Sequence, residues 1–265
     1  MTRLLGKIAI VTGVSRPGGI GAAICRAFAA EGASLFFTHL YDYDKNIYPN
    51  DADECWPDLF AEELRQWDIK VGHLKLDLAL PGSWTILLEE VRKVVGFPTI
   101  LVNNATYGVG ADFRQLNEAL IDAHCAVNVR GTFMLSAEFA RMIEAKQNTY
   151  SSLSKFGGRI INLTSGQGKG PMPGNLAYAA TKGAISAFTE SLAAELAPLH
   201  ITVNAVDPGP TDSGWMSEEI KKALLPQFPM GRIGLPEDAA RLITFLATEE
   251  SHWITGQIIH SRGGF

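Results

Sequence analysis

Short apolar runs recur along the chain: IAIV at 8–11, SLFFT at 34–38, VGHLKL at 71–76, ILVN at 100–103, RIINL at 159–163, ITVNAV at 201–206 and QIIH at 257–260. Several are continuous rather than alternating, as strands buried on both faces of a sheet are. Between them lie longer segments with helical spacing: GAAICRAFAAEG, SWTILLEEVRKVV, ALIDAHCAVNVRGTFMLSAEFARMI and AISAFTESLAAELAPL. Strands alternating with helices predict an α/β fold, a doubly wound parallel sheet of about seven strands with helices on both faces. No linker, composition break or repeat divides residues 1–265, which read as one domain.

Two segments depart from the pattern. Residues 41–57, YDYDKNIYPNDADECWP, carry Asp42, Asp44, Asp51, Asp53 and Glu54 without a ligand-loop spacing, and read as a solvated loop rather than a metal site. Residues 208–235, rich in Pro and Gly, read as a flap beside a ligand.

Composition narrows the class. With 46% hydrophobic and 19% charged residues the chain matches ordinary globular proteins. A net charge of -5 argues against a broad nucleic-acid or anionic-membrane surface. Cys25, Cys55 and Cys125 form no C-x-x-C pair, so neither a disulfide framework nor a zinc site is expected, and a reducing setting fits. No apolar run reaches the length of a membrane span and no signal-peptide pattern opens the chain, so the expected location is cytoplasmic.

Four stretches carry candidate chemistry. TGVSRPGGIG, Thr12 to Gly21, joins the first strand to the first helix. A helix N-terminus with glycines before it suits a phosphate, although a plain turn has the same outline. In YAATK, Tyr178 and Lys182 stand four apart, one above the other on a helix face. An ammonium near a phenol favours the phenolate, which fits the Tyr for proton exchange with a carbonyl or alcohol. An exposed helix pair is the plainer alternative. In INLTSGQG, Thr164 and Ser165 end a strand, where a hydroxyl can donate to a substrate oxygen or satisfy loop backbone. In LVNNA, Asn103 and Asn104 need partners if buried, and so brace strand ends or a ligand.

Together these motifs resemble the short-chain dehydrogenase/reductase family over nearly the whole chain, from about residue 5 to 264. TGVSRPGGIG is similar to its T-G-x-x-x-G-x-G turn through Gly13, Gly19 and Gly21, with Pro17 and Gly18 as two extra residues expected to bulge outward. NNA at 103–105 matches N-N-A-G except that Thr106 replaces the Gly. Asn128 in AVNVRG stands where the family has its helix asparagine, and Ser165 precedes Tyr178 by the usual thirteen residues. DPG at 207–209 and ITGQIIHSRGG at the end complete the resemblance, with Arg262 in place of the family Asp, a change expected to bear on a subunit contact. The pattern is closest to the 3-oxoacyl-carrier-protein-reductase-like branch, which leaves acyl thioester, sugar, steroid-like and specialised-metabolite ketones open.

The resemblance implies a Rossmann-type fold, a nicotinamide cofactor and a small-molecule carbonyl or alcohol substrate, in a homotetramer or homodimer. Tyr178 would be the acid/base, Lys182 would tune it and bind the nicotinamide ribose, Ser165 would hold the substrate oxygen and Asn128 would position a relay water. Gly13, Ser15, Arg16, Gly19, Ile20 and Gly21 would hold phosphates. Asp77 and Leu78, with Asn104 and Ala105, would line the adenosine side. Pro208 and Gly209 would flank the nicotinamide, with Thr211 or Ser213 at its carboxamide. Tyr107, Gln167, Trp215 and Met216 are candidates for the substrate wall. His39 stands where an acid would meet a free ribose hydroxyl, and Arg16 is a plausible 2′-phosphate partner, so NADP(H) is expected over NAD(H), with Asp42 and Asp44 pulling the other way. The competing reading is a non-catalytic dinucleotide sensor, which would have no need of Ser165, Tyr178, Lys182 and Asn128 together.

Overall fold

Seven strands form one sheet in the order β3-β2-β1-β4-β5-β6-β7, with every neighbouring pair parallel. They are β1 (Ile8–Val11), β2 (Ser34–His39), β3 (Val71–Lys75), β4 (Ile100–Asn103), β5 (Gly158–Leu163), β6 (Ile201–Asp207) and β7 (Ile258–His260). The computed structural model describes residues 2–47, 51–149 and 157–265. Strand order reverses between β1 and β4, and ligands of such sheets bind beyond the carboxyl ends of the strands at that switch point.

The side-chain alternation of a strand sorts the core into two layers. On one face, Val11, Leu35, Phe37 and Val102 pack against α1 (Ile20–Ala30), α3 (Trp56–Arg65) and α9 (Pro236–Ala247). On the other, Ile10, Phe36, Leu101 and Ile160 pack against α4 (Ser83–Val94), α6 (Thr132–Thr149) and α7 (Leu176–Leu196). Strands β5 and β6 are buried throughout, with apolar residues on both faces and the buried amides of Asn162 and Asn204 hydrogen-bonded.

Three expectations change. Within 41–57, residues Tyr41–Ile47 form a helix, α2, and Asp44 is buried. The reason is tertiary: Arg16, far back in the chain, takes the Asp44 carboxylate. Residues 48–50 of that segment lie outside the described residues. The stretch 119–143, one helical run by spacing, divides into α5 (Glu118–His124), a π-turn at Cys125–Gly131 and α6. Within 208–235, Ser217 caps α8 (Glu218–Leu224), its hydroxyl accepting from the Ile220 N–H at 3.3 Å, so the segment is partly helical.

Candidate active site

The strands end on one cleft of about 940 Å³. Strand order divides its lining. Residues at or just after the ends of β1, β2 and β3 (Gly13, Arg16, His39, Asp77) form one half, and those after β5, β6 and β7 (Ser165, Gly209, Arg262) form the other.

In the first half the glycine turn is held from below. The Thr12 hydroxyl accepts from the Asn104 and Ala105 N–H groups at 3.1 and 3.0 Å. Asn104 Nδ2 donates to the Thr12 and Gly13 carbonyls at 2.8 and 2.9 Å. Gly13 has φ of +70°, and a Cβ there would stand 2.6 Å from Ala105 Cα. At Gly21 a Cβ would stand 2.8 Å from Asn104 Nδ2. Pro17 and Gly18 bulge outward as expected: the Gly19 N–H returns to the Arg16 carbonyl at 3.2 Å and closes a tight turn with Pro at its second position. Gly19 then N-caps α1 with extended backbone and no side-chain acceptor. The first N–H groups of α1 are therefore left to a ligand, and an anion suits them. This cradle, which Cβ atoms would fill, fits a dinucleotide pyrophosphate.

Farther along that half, the charge is balanced more closely than residue types imply. Arg16 Nε donates to Asp44 Oδ1 at 3.0 Å, and its Nη1 donates to Asp51 Oδ2 and to the Ser213 carbonyl, both at 2.9 Å. Burial raises the Asp44 pKa against the pull of Ser15 and Arg16. The Ser15 hydroxyl accepts from the Leu40 N–H at 3.0 Å. His39 Nε2 meets His73 Nδ1 at 3.2 Å, and burial pushes the His39 imidazole down to about 4, so it is neutral at pH 7. His39, which stands where an acid would meet a free ribose hydroxyl, is uncharged, and Arg16, the expected 2′-phosphate partner, is shared with two carboxylates. Leu78 lines this half with Asp77.

In the second half, Ser165 follows β5 and lines the cleft, and its hydroxyl has no partner among the described residues. Tyr178, on α7, lines the same space. Lys182 is 2% exposed and lies behind it, with Nζ 5.6 Å from the centre of the Tyr178 ring. Its Nζ donates to the Leu163 carbonyl at 2.8 Å, and burial pushes the ammonium down to about 8. Lys182 thus meets Tyr178 and the strand end rather than the cleft wall, because a buried ammonium needs an acceptor.

Asn128 sits in the π-turn, 1% exposed, with its amide spent on protein groups. Oδ1 accepts from the Tyr107 N–H at 2.7 Å and from the Thr106 hydroxyl at 3.1 Å; Nδ2 donates to the Tyr107 carbonyl at 2.9 Å and to Thr181 Oγ1 at 3.0 Å. Thr106, where the resembling family has Gly, is thereby part of this brace.

The whole chain can now be set beside known proteins. A family model described as "Enoyl-(Acyl carrier protein) reductase" matches residues 13–265. An "Uncharacterized oxidoreductase YjdA" of Bacillus subtilis (strain 168) is 51% identical over 259 residues, 98% of this chain and 96% of that protein. A "3-oxoacyl-[acyl-carrier-protein] reductase FabG" of Aquifex aeolicus (strain VF5) is 34% identical over 99% of this chain and 98% of its own. The chain belongs to the short-chain dehydrogenase/reductase family. Among solved structures, a Serratia marcescens short-chain dehydrogenase/reductase double mutant superposes with a TM-score of 0.83 at 31% identity, covering 99% of this chain and 98% of that one. A blue fluorescent protein from a metagenomic library, in complex with NADPH, superposes at 0.82 with 31% identity and 99% coverage of both chains.

Seen as a short-chain dehydrogenase/reductase, the chain brings most of the expected residues to one cleft: Pro208, Gly209, Thr211, Ser213, Tyr107 and Trp215 line it. Thr211 turns its hydroxyl back to the Pro208 carbonyl at 3.1 Å. Two candidates leave the wall. Gln167 donates to Ser186 Oγ at 3.0 Å, under the loop, and Met216 is buried in the packing. Two residues gain importance that motif reading missed. Tyr43 of α2 accepts from the Gly108 N–H at 3.0 Å and packs on Tyr107 at 5.5 Å, so the acidic segment closes over the cleft. Arg262 turns into the cleft rather than outward; the pairing of Asp207 with His260 between β6 and β7 is what brings it there. Among the described residues no helix is long and apolar enough to cross a membrane.

Proposed function

We propose that the chain is an NADP(H)-dependent carbonyl reductase or alcohol dehydrogenase acting on a small-molecule ketone or secondary alcohol. The observation that carries the reading is that Ser165 and Tyr178 line the same cleft as the open glycine turn, with Lys182 buried against the Tyr178 ring.

Gly13, Ser15, Gly19, Ile20 and Gly21 would hold the pyrophosphate. His39, Asp77, Leu78, Asn104 and Ala105 would flank the adenosine, and Pro208, Gly209 and Thr211 the nicotinamide. When bound, the dinucleotide supplies a hydride to the carbonyl carbon and is itself oxidised. The Tyr178 phenol gives its proton to the carbonyl oxygen, so that ketone becomes alcohol, and the Ser165 hydroxyl donates a hydrogen bond to that oxygen. Lys182 acts through Tyr178: its ammonium stabilises the phenolate left behind. Asn128 holds the Tyr107 segment of the substrate wall.

NADP(H) is favoured because no carboxylate ends β2 and Arg16 lines the adenosine half, and a relative of 31% identity was solved with NADPH. Asp44 and Asp51 compete for Arg16 and favour the second reading, an NAD(H) enzyme of the same family. A cytoplasmic homotetramer or homodimer completes the proposal, and sedimentation of the purified chain tests the assembly.

Calorimetric titration with NADPH and, separately, NADH tests the cofactor reading. Tighter NADPH supports it. Tighter NADH overturns the preference and keeps the enzyme class, and binding of neither overturns both.

A further inference from the structure

We propose that Arg262 reads a carboxylate on the substrate, so that this enzyme works on short oxo acids or hydroxy acids rather than on neutral ketones. The inference rests on the carbonyl-reductase reading and names its substrate class.

Arg262 lines the half of the cleft that Ser165 and Tyr178 share. Its guanidinium is fixed from behind. Asp207, at the end of β6, is completely buried. Its Oδ2 accepts from Arg262 Nη1 at 3.1 Å and faces His260 Nδ1 at 2.8 Å, while Oδ1 accepts from the Gly209 N–H at 2.9 Å. The Phe265 ring lies 5.1 Å from the guanidinium carbon. The side chain also fills two glycine positions. A Cβ on Gly166 would stand 2.6 Å from Arg262 Nη1, and one on Gly209 would stand 2.8 Å from its Cγ. Arg262 therefore packs between the turns that follow β5 and β6.

That support leaves donors over. A guanidinium carries five N–H donors, and Asp207 takes one at Nη1. Nε is walled off from the cleft, so the donors left for a ligand are the terminal ones on Nη1 and Nη2, on a side chain that is 11% exposed as a whole. A planar fork with terminal donors to spare suits a carboxylate. Charge on this half agrees. Lys169 lines it too, whereas the lining carboxylates, Asp44 and Asp77, follow β2 and β3 in the other half.

Ser165 and Arg262 line the same half of the cleft, so one substrate can offer its carbonyl oxygen to the first and a carboxylate to the second, and 2-oxo and 3-oxo acids are the shortest molecules that carry both groups.

Matched pairs test this: pyruvate and acetoacetate against their methyl esters, reduced by the wild type, Arg262→Gln and Arg262→Lys, with melting temperature as the folding control. The expected wild-type kcat/KM for an acid exceeds that for its ester at least tenfold. Arg262→Gln lowers the acid value at least tenfold more than the ester value, through KM, and Arg262→Lys recovers part of the loss. Should Arg262→Gln fail to fold, the wild-type ratio decides. A wild type that prefers the esters, or a variant that harms acid and ester alike, overturns the subsite and leaves the reductase reading standing. Calorimetric binding of 3-hydroxybutyrate to the NADP⁺-loaded protein separates the two ideas without turnover. Binding that is lost in Arg262→Gln, with no reduction of any compound, upholds the subsite and overturns the reductase reading. No binding and no preference for acids overturns the subsite.

Discussion

Lys182 Nζ stands 5.6 Å from the centre of the Tyr178 ring and, at 2.8 Å, donates to the Leu163 carbonyl at the end of β5. One turn of α7 thereby ties a buried cation to both a phenol and the strand end that precedes Ser165. Lys182 is buried behind the ring, and Tyr178 lines the cleft.

Tyr178→Phe removes a proton donor and little volume. Turnover is expected to fall at least a thousandfold, roughly the upper part of the range general acid catalysis contributes, while calorimetric dinucleotide affinity changes less than about threefold. Loss of binding instead would give Tyr178 a structural role.

The Lys182 ammonium gives a signed dependence of stability on pH. Its pKa is pushed down to about 8 in the folded protein, from 10.5 for the free side chain, by burial. The unfolded chain therefore binds more protons between those values, and stability rises with pH across that window. The penalty is fully present below pH 8 and is relieved toward 10.5. Against Lys182→Met, urea unfolding should show the wild type gaining up to about 3 kcal/mol between pH 7 and 10.5. A constant difference between the two proteins would refute it.

Gly13→Ala forces a side chain into left-handed backbone and against Ala105 Cα, neither of which can yield cheaply. A loss of more than about 2 kcal/mol is expected in denaturant unfolding, together with weakened dinucleotide binding. Gly18→Ala is the control. Its nearest neighbour is Asp51 Oδ2 at 3.9 Å, an ordinary contact, so stability should stay within about 0.5 kcal/mol of the wild type.

Asp44 gives the proposed cofactor preference a direct test. Asp44→Asn releases Arg16 from one carboxylate and removes a negative charge beside the adenosine half. The ratio of NADPH to NADH affinity should rise about tenfold, a change of about 1.4 kcal/mol. Arg16→Ala should move the ratio the other way. An unchanged ratio in both variants would take the 2′-phosphate away from Arg16.

Much of the site was legible because it is local. The run from β1 through Gly13, Gly19 and Gly21 into α1 is one strand, one turn and one helix. The step from Tyr178 to Lys182 is one helical turn. Short apolar runs and helical spacing report such units directly, and their alternation along the chain predicted the parallel sheet as well. Charged side chains far apart in the chain were not legible in this way. Asp44 reads as a solvated acid until Arg16 is folded against it, and that pairing makes burial of its carboxylate tolerable. Spacing across 119–143 carries no sign of the π-turn, because one inserted residue leaves the apolar pattern nearly intact; such turns mark functional sites, and this one holds Asn128. Arg262 stood out only as a departure from a family pattern. The sequence by itself determined the elements, their alternation and the residue types that meet at the strand ends. The tertiary structure decided which charges are paired, which are neutral and which face the cleft, since Coulomb energy and desolvation depend on distance and burial rather than on position in the chain.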